Sequence, residues 1–190
     1  MKFWIFVLTH FIFFGILTAQ TIDSASEMQR ERTVEATGDI LHFALPAAAG
    51  LTTVILKDKE GGIQFIKSFT ANMVATYALK YAFDKPRPEG ATDGLAFPSG
   101  HTSVAFQGAS FIQRRYGWKY GIPAYLMAGF VGYSRIEGIN DRHDGWDVLG
   151  GILVGIGSTY LFTTPYENKN LDITFSSADG YYTIGVKYQF

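Results

Sequence analysis

The chain has 190 residues, 47% of them hydrophobic and only 17% charged, with a formal net charge of −1. That length supports one domain with a real core, and the balanced charge excludes a global electrostatic drive toward nucleic acid. Cysteine is absent and aromatics reach 16%, which excludes disulfides, thiolate nucleophiles and zinc-thiolate sites as well as a disordered, solvating chain.

Residues 1–19 read MKFWIFVLTHFIFFGILTA. A short positive start at Lys2, an apolar run from Phe3 to Leu17 and a small residue at Ala19 form the pattern of a secretory signal. An uncleaved first membrane helix is the alternative, but the run is short for a hydrocarbon core ~30 Å thick. Residues 20–38 are polar, with Glu27, Arg30, Glu31 and Arg32 clustered, and are expected to form a tether or short amphipathic helix. Residues 39–165 are expected to be the helical domain. Ile40–Leu56 is nearly all apolar, and Lys57–Gly62 reads as a charged turn. Further helices are expected over Ile63–Phe83, from Ser99 to about Tyr116, over Gly121–Arg135 and over Asp144–Phe162, with a loop over Asp84–Gly94. The last helix is dense in glycine, which allows close helix packing. In residues 166–190 the pattern changes to apolar/polar alternation around Asp179-Gly180, the pattern of a β-hairpin.

Three segments carry polar groups suited to phosphate chemistry. In KYAFDKPRP, Lys80 and Arg87 lie in one proline-stiffened stretch and can converge on an anion. In FPSGH, Ser99 and Gly100 stand at an expected helix start, where free N–H groups and the positive dipole end suit a phosphate. His101 follows. Alone, this motif also describes a capping serine beside a surface histidine. The third segment holds Ser134-Arg135 and then His143 and Asp147, four residues apart. Four residues on a helix share a face, and a carboxylate at one ring nitrogen raises the basicity of the other. Alone, that pair also describes a surface i, i+4 contact.

Taken in order, these segments resemble the type 2 phosphatidic acid phosphatase family, which shares its core with class A acid phosphatases and vanadium haloperoxidases. The resemblance covers roughly residues 35–163. Seven residues separate Arg135 from His143, two more than is usual there, and the excess reads as a loop insertion within Glu137–Asp141.

The resemblance implies an all-α helical bundle, here followed by the C-terminal hairpin. It implies that Lys80, Arg87 and Arg135 hold phosphoryl oxygens, with Ser99 and the Gly100 N–H completing the cradle. It further implies that His143 attacks phosphorus, Asp147 orients His143, and His101 protonates the leaving oxygen. No metal or other cofactor is implied. His42 matches no motif and is expected as a core or interfacial residue. The expected protein is an exported, membrane-associated phosphatase facing the periplasm, acting on a lipid phosphate or pyrophosphate and not on nucleic acid. Alternatives are a soluble periplasmic acid phosphatase acting on small phosphomonoesters, a vanadate-dependent haloperoxidase and a non-catalytic membrane scaffold.

Overall fold

In the computed structural model, the described residues are 2–88, 95–138, 143–166, 171–178 and 181–188, with side chains described from Ser24 onward except in most of the final two strands. Among them are five α-helices: α1 (Lys2–Ile55), α2 (Lys59–Phe83), α3 (Gly100–Tyr116), α4 (Trp118–Glu137) and α5 (Gly145–Phe162). Strands β1 (Leu171–Ala178) and β2 (Tyr181–Tyr188) follow, paired antiparallel with Leu171 opposite Tyr188 and Ala178 opposite Tyr181. The Asp179-Gly180 turn lies outside the described residues.

Helix α1 runs unbroken through the boundaries expected at Ala19 and Asp39. The polar stretch contains no proline, and Thr33 and Thr37 each return a hydroxyl to the carbonyl four residues back, at 2.8 Å, without interrupting the helix. Helix α2 begins at Lys59, inside the expected charged turn, because the Asp58 carboxylate caps the Gly61 N–H at 2.9 Å. Helix α4 begins three residues before the expected Gly121, because Gly117 (φ +93°) reverses the chain at once.

Close approach through glycine sets the packing. Helix α5 lies on α3 where a Cβ on Gly155 would stand 2.4 Å from the Ser103 carbonyl oxygen and 2.8 Å from the Gln107 nitrogen. Helix α1 meets α4 at Gly38, where a Cβ would stand 1.9 Å from Ser134 Oγ.

The interior is small and partly polar. Leu45, Ala105, Ala109, Ala128 and Val131 form its apolar part. Beside them runs a buried hydroxyl and amide column: Thr76 bonds Ser103 at 2.9 Å, Gln107 donates to Ser68 at 3.0 Å, and Ser110 donates to Thr159 at 2.6 Å. Most of the large apolar side chains point outward instead. Val54, Ile66, Leu126 and Leu161 are each exposed by at least 65%, as are Ile40, Phe43 and Trp146. Polar interfaces within an apolar exterior suit lipid as solvent. Among the described residues, two helical stretches are long and apolar enough to cross a membrane, Ser24–Ile55 and Gly145–Phe162.

The bundle has two ends. The α1–α2 and α3–α4 turns lie at one. At the other, the end of α2, the start of α3, the end of α4 and the start of α5 meet the middle of α1, and the three sequence motifs come together there.

Candidate active site

Lys80 sits in the last turn of α2, and its ammonium donates to the Leu95 carbonyl. The helix stops at Asp84 in the left-handed conformation (φ 39°). The chain then passes Lys85 and Arg87, and the Lys85 carbonyl receives the Ala96 N–H at 2.8 Å. Ser99 caps α3, accepting from the Thr102 hydroxyl at 3.0 Å, while its own N–H donates to the Asp147 carbonyl at 2.9 Å. That backbone bond ties the second motif to the third. It leaves Ser99 fully buried, with its hydroxyl serving the helix.

His143 precedes α5 and is not on it: Asp144 is the N-cap, in a reciprocal capping box with Asp147. The expected helix-face pairing of His143 with Asp147 is therefore made across a capping turn. His143 Nδ1 lies 3.3 Å from Asp147 Oδ2. A carboxylate only accepts, so Nδ1 carries the proton and Nε2 keeps its lone pair. Asp147 is fully buried; its oxygens also receive the Asp144 N–H at 3.2 Å and the Lys85 ammonium at 2.7 Å. Lys85 reaches Asp144 as well, at 2.5 Å. Burial alone would lower the Lys85 ammonium pKa, but hydrogen bonds to the two carboxylates outweigh it and hold it raised. Sequence reasoning passed over Lys85 as a spacer between Lys80 and Arg87.

Lys80, Arg87, Gly100, His101 and His143 line one cavity of about 350 Å³. Its far flank is apolar, made by Phe43, Pro46, Phe69, Met73, Tyr77 and Val104 of α1, α2 and α3. Phe43 and Tyr77 are exposed, so the apolar flank reaches the outer surface between α1 and α2. Ser99, Arg135 and Asp147 do not line this cavity. Arg135 is buried, with its guanidinium 3.0 Å from Asp39 Oδ1 and 3.1 Å from the Glu35 carbonyl oxygen.

Burial, and then the nearby cations, keep both motif histidines neutral in the free protein. Burial, followed by His42 and Arg135, pushes His101 down to about 3. Burial, followed by Arg87, pushes His143 down to about 4, against the opposing pull of Asp147. A bound phosphate dianion reverses the sign of the local field and favours protonation of either ring.

Helix α1 supplies two groups the motifs do not contain. His42, expected in the core or at an interface, is buried but lines the cavity, its ring centroid 4.0 Å from that of His101. Its Nδ1–H donates to the Asp39 carbonyl at 2.7 Å. Asp39 Oδ1 lies 3.5 Å from His101 Nε2. The only signal in the sequence was an acid and a histidine three apart at the edge of an apolar helix. Potential ligand atoms of Asp39, His42 and His101 all lie within 4.8 Å of one another. Arg135 already pairs with that carboxylate, and Lys80 and Arg87 add positive charge to the same cavity, so the field favours an anion over a metal cation.

A larger cavity, about 870 Å³, lies at the opposite end beside Tyr116, Tyr120 and Tyr166. None of its lining residues is a histidine or a carboxylate, and its Arg115 is engaged by Asp58 at 2.6 Å and by the Pro165 carbonyl at 3.1 Å. The smaller cavity is the one with groups able to do chemistry.

The PAP2 superfamily matches residues 61–171. Lipid A 4'-phosphatase of Helicobacter pylori is 32% identical over 146 residues, covering 72% of each chain. Lipid A 1-phosphatase of Porphyromonas gingivalis is 44% identical over 80 residues, which cover 40% of this chain and 17% of that one. Among solved structures, the transmembrane PAP2 type phosphatidylglycerolphosphate phosphatase of Bacillus subtilis superposes with a TM-score of 0.54 at 23% identity, over 80% of this chain and 91% of that one. Aquifex aeolicus LpxE superposes with a TM-score of 0.57 at 22% identity, over 68% of this chain and 84% of that one. The motifs, the helical bundle and the matched length agree: the chain belongs to the PAP2 superfamily.

Proposed function

We propose that this PAP2 phosphatase removes phosphate from a lipid headgroup through a covalent phosphohistidine at His143. The observation that carries the reading is the two-sided cavity, with Lys80, Arg87, His101 and His143 at one end and an apolar flank opening between α1 and α2. A soluble ester needs no such flank. Lipid A and phosphatidylglycerophosphate are the leading substrate classes, since phosphatases of those lipids are among the relatives and fold neighbours.

In the proposed reaction, Lys80, Arg87 and the Gly100 N–H hold the phosphoryl oxygens, with Ser99 and Arg135 supporting from behind. Their charge neutralises the group in transfer without a metal ion. The lone pair of His143 Nε2 forms a bond to phosphorus as the bond to the lipid oxygen breaks. His101, protonated when the dianion is bound, gives its proton to that oxygen. Water then attacks phosphorus and His101 takes a proton from it. The N–P bond breaks, which releases phosphate and restores neutral His143. Asp147 holds the Nδ1 proton throughout and stabilises the positive charge that the ring acquires.

The proposed location is the outer face of the membrane, with residues 1–19 as the export signal. The α1 residues preceding Asp39 extend from the site end, so a cleaved N-terminus and the site share a side.

The test is phosphate release by detergent-solubilised full-length protein from lipid A, phosphatidylglycerophosphate, phosphatidic acid, a prenyl pyrophosphate and small soluble monoesters, with and without chelator. Release from one or more lipids, unaffected by chelator and abolished by His143→Ala, is expected. Equal turnover of soluble esters by protein recovered without detergent would replace this reading with a soluble acid phosphatase.

A further inference from the structure

We infer that Asp39 and His42 of α1 are positioning residues for His101, forming a second carboxylate–histidine pair across the cavity from Asp147 and His143. The inference rests on the phosphatase reading and deepens it by assigning the leaving-group side of the site. Both residues lie outside the stretch matched by the PAP2 superfamily, residues 61–171.

The geometry is specific. Gly38 brings α1 against Ser134, and the next residue places its carboxylate between Arg135 at 3.0 Å and His101 Nε2 at 3.5 Å. Three residues on, His42 lies with its ring centroid 4.0 Å from that of His101, and its own Nδ1–H is held by the Asp39 carbonyl. One turn of α1 thus sets both the ring plane and the electrostatic surroundings of His101.

The charges around His101 give this turn a function. From α1 comes His42, from α2 and the loop after it Lys80 and Arg87, from α4 Arg135, and beside α5 His143. All of these disfavour an imidazolium or leave it unassisted. Asp39 sets a carboxylate oxygen 3.5 Å from His101 Nε2. A general acid must hold its proton until the ester bond breaks. When the imidazolium donates to the lipid oxygen, the P–O bond breaks and His101 becomes neutral. Asp39 stabilises the protonated ring up to that point, while Arg135 keeps the carboxylate in place.

The experiment compares wild type, Asp39→Asn and Asp39→Glu as full chains in detergent, on an alkyl phosphate and on an aryl phosphate with a good leaving group. Removing one half-exposed negative charge is expected to lower the alkaline limb of kcat on the alkyl ester by about one pH unit, the low end for a charge within 4–6 Å. Above that limb the loss is about tenfold. On the aryl ester, whose oxygen leaves without full protonation, the loss is no more than about threefold. KM should not rise, because the phosphate loses no ligand, and Asp39→Glu should recover part of the limb. An active wild type whose Asp39→Asn profile is unmoved, or whose two substrates suffer alike, would overturn the assignment and leave the phosphatase reading intact. A wild type that releases phosphate from neither ester would overturn both.

Discussion

The backbone N–H of His143 donates to the carbonyl oxygen of Arg135 at 2.8 Å. Seven residues separate the two, and this bond closes that loop. It sets His143 beside the end of α4. Most of the intervening stretch, residues 139–142, lies outside the described residues, but its two ends are joined. The expected insertion therefore leaves the register of His143 and Asp147 unaffected.

Asp147 holds the Nδ1 proton of His143. Asp147→Asn offers the ring an amide, which permits the tautomer with its proton on Nε2. Turnover should fall by about a hundredfold or more while KM changes little, since a positioned acid–base group contributes ~10²–10⁴ in rate. Steady-state kinetics on the preferred lipid checks this, and a loss confined to KM would contradict it.

Lys85 tunes the same pair from behind. In Lys85→Met, Asp144 and Asp147 lose their shared ammonium, and the uncompensated carboxylates favour protonated His143. In the proposed reaction His143 must be neutral to attack, so the acid limb of kcat/KM should move to higher pH. A pH–rate profile reads this directly. A uniform loss at all pH values would reduce Lys85 to a structural role.

Asp58 and Arg115 form a buried ion pair at the opposite end of the bundle, 2.6 Å apart and each about 3% exposed. The arginine hydrogen bond holds the Asp58 carboxyl below its usual range, in spite of the burial that raises it. A carboxylate with a depressed folded pKa contributes stability above its unfolded pKa of ~3.9, and that contribution is lost as pH falls through the folded value. Wild type should lose stability below about pH 4, again from the unfolded value, and Asp58→Ala should lose that acid dependence. Removing one partner strands a buried charge, which costs about 3–5 kcal/mol. Thermal unfolding in detergent across pH measures both. Turnover per folded molecule should persist, since the pair is remote from the cavity.

Gly155 and Gly157 lie two residues apart on α5 but differ in surroundings. A Cβ at Gly155 meets the backbone of α3 at 2.4 Å, whereas nothing stands within 4 Å of one at Gly157. Gly155→Ala should destabilise by about 1–3 kcal/mol through overpacking. Gly157→Ala should be neutral or stabilising by up to about 1 kcal/mol, from helix propensity. Equal melting temperatures for the two variants would show that the helices do not pack through Gly155.

Much of the site was legible in the sequence because its chemistry is carried by residues near one another in the chain. Ser99 and Asp144 cap helices over a few residues, and His143 reaches Asp147 within one turn. Short spacings encode such contacts, so of the eight candidates the motifs offered, Lys80, Arg87, Gly100, His101 and His143 line one cavity, and Ser99, Arg135 and Asp147 stand behind it. Helix α1 continues across Ala19 and Asp39, the expected ends of the signal and of the polar stretch, because polar composition alone does not end a helix where proline and a capping signal are missing. Other relationships depend on helix crossings that no short spacing records. Asp39 and His42 enter the site only because Gly38 lets α1 approach Ser134. Lys85 acts only because the chain folds back from α2 onto the start of α5. Arg135 faces Asp39 on α1 and is not on the cavity wall, for the same reason. Residue types and local spacing determined which groups could handle a phosphate. The packing of α1 and α5 through glycine decided which carboxylate each histidine and cation meets, because those distances are set by backbone approach between segments far apart in the chain.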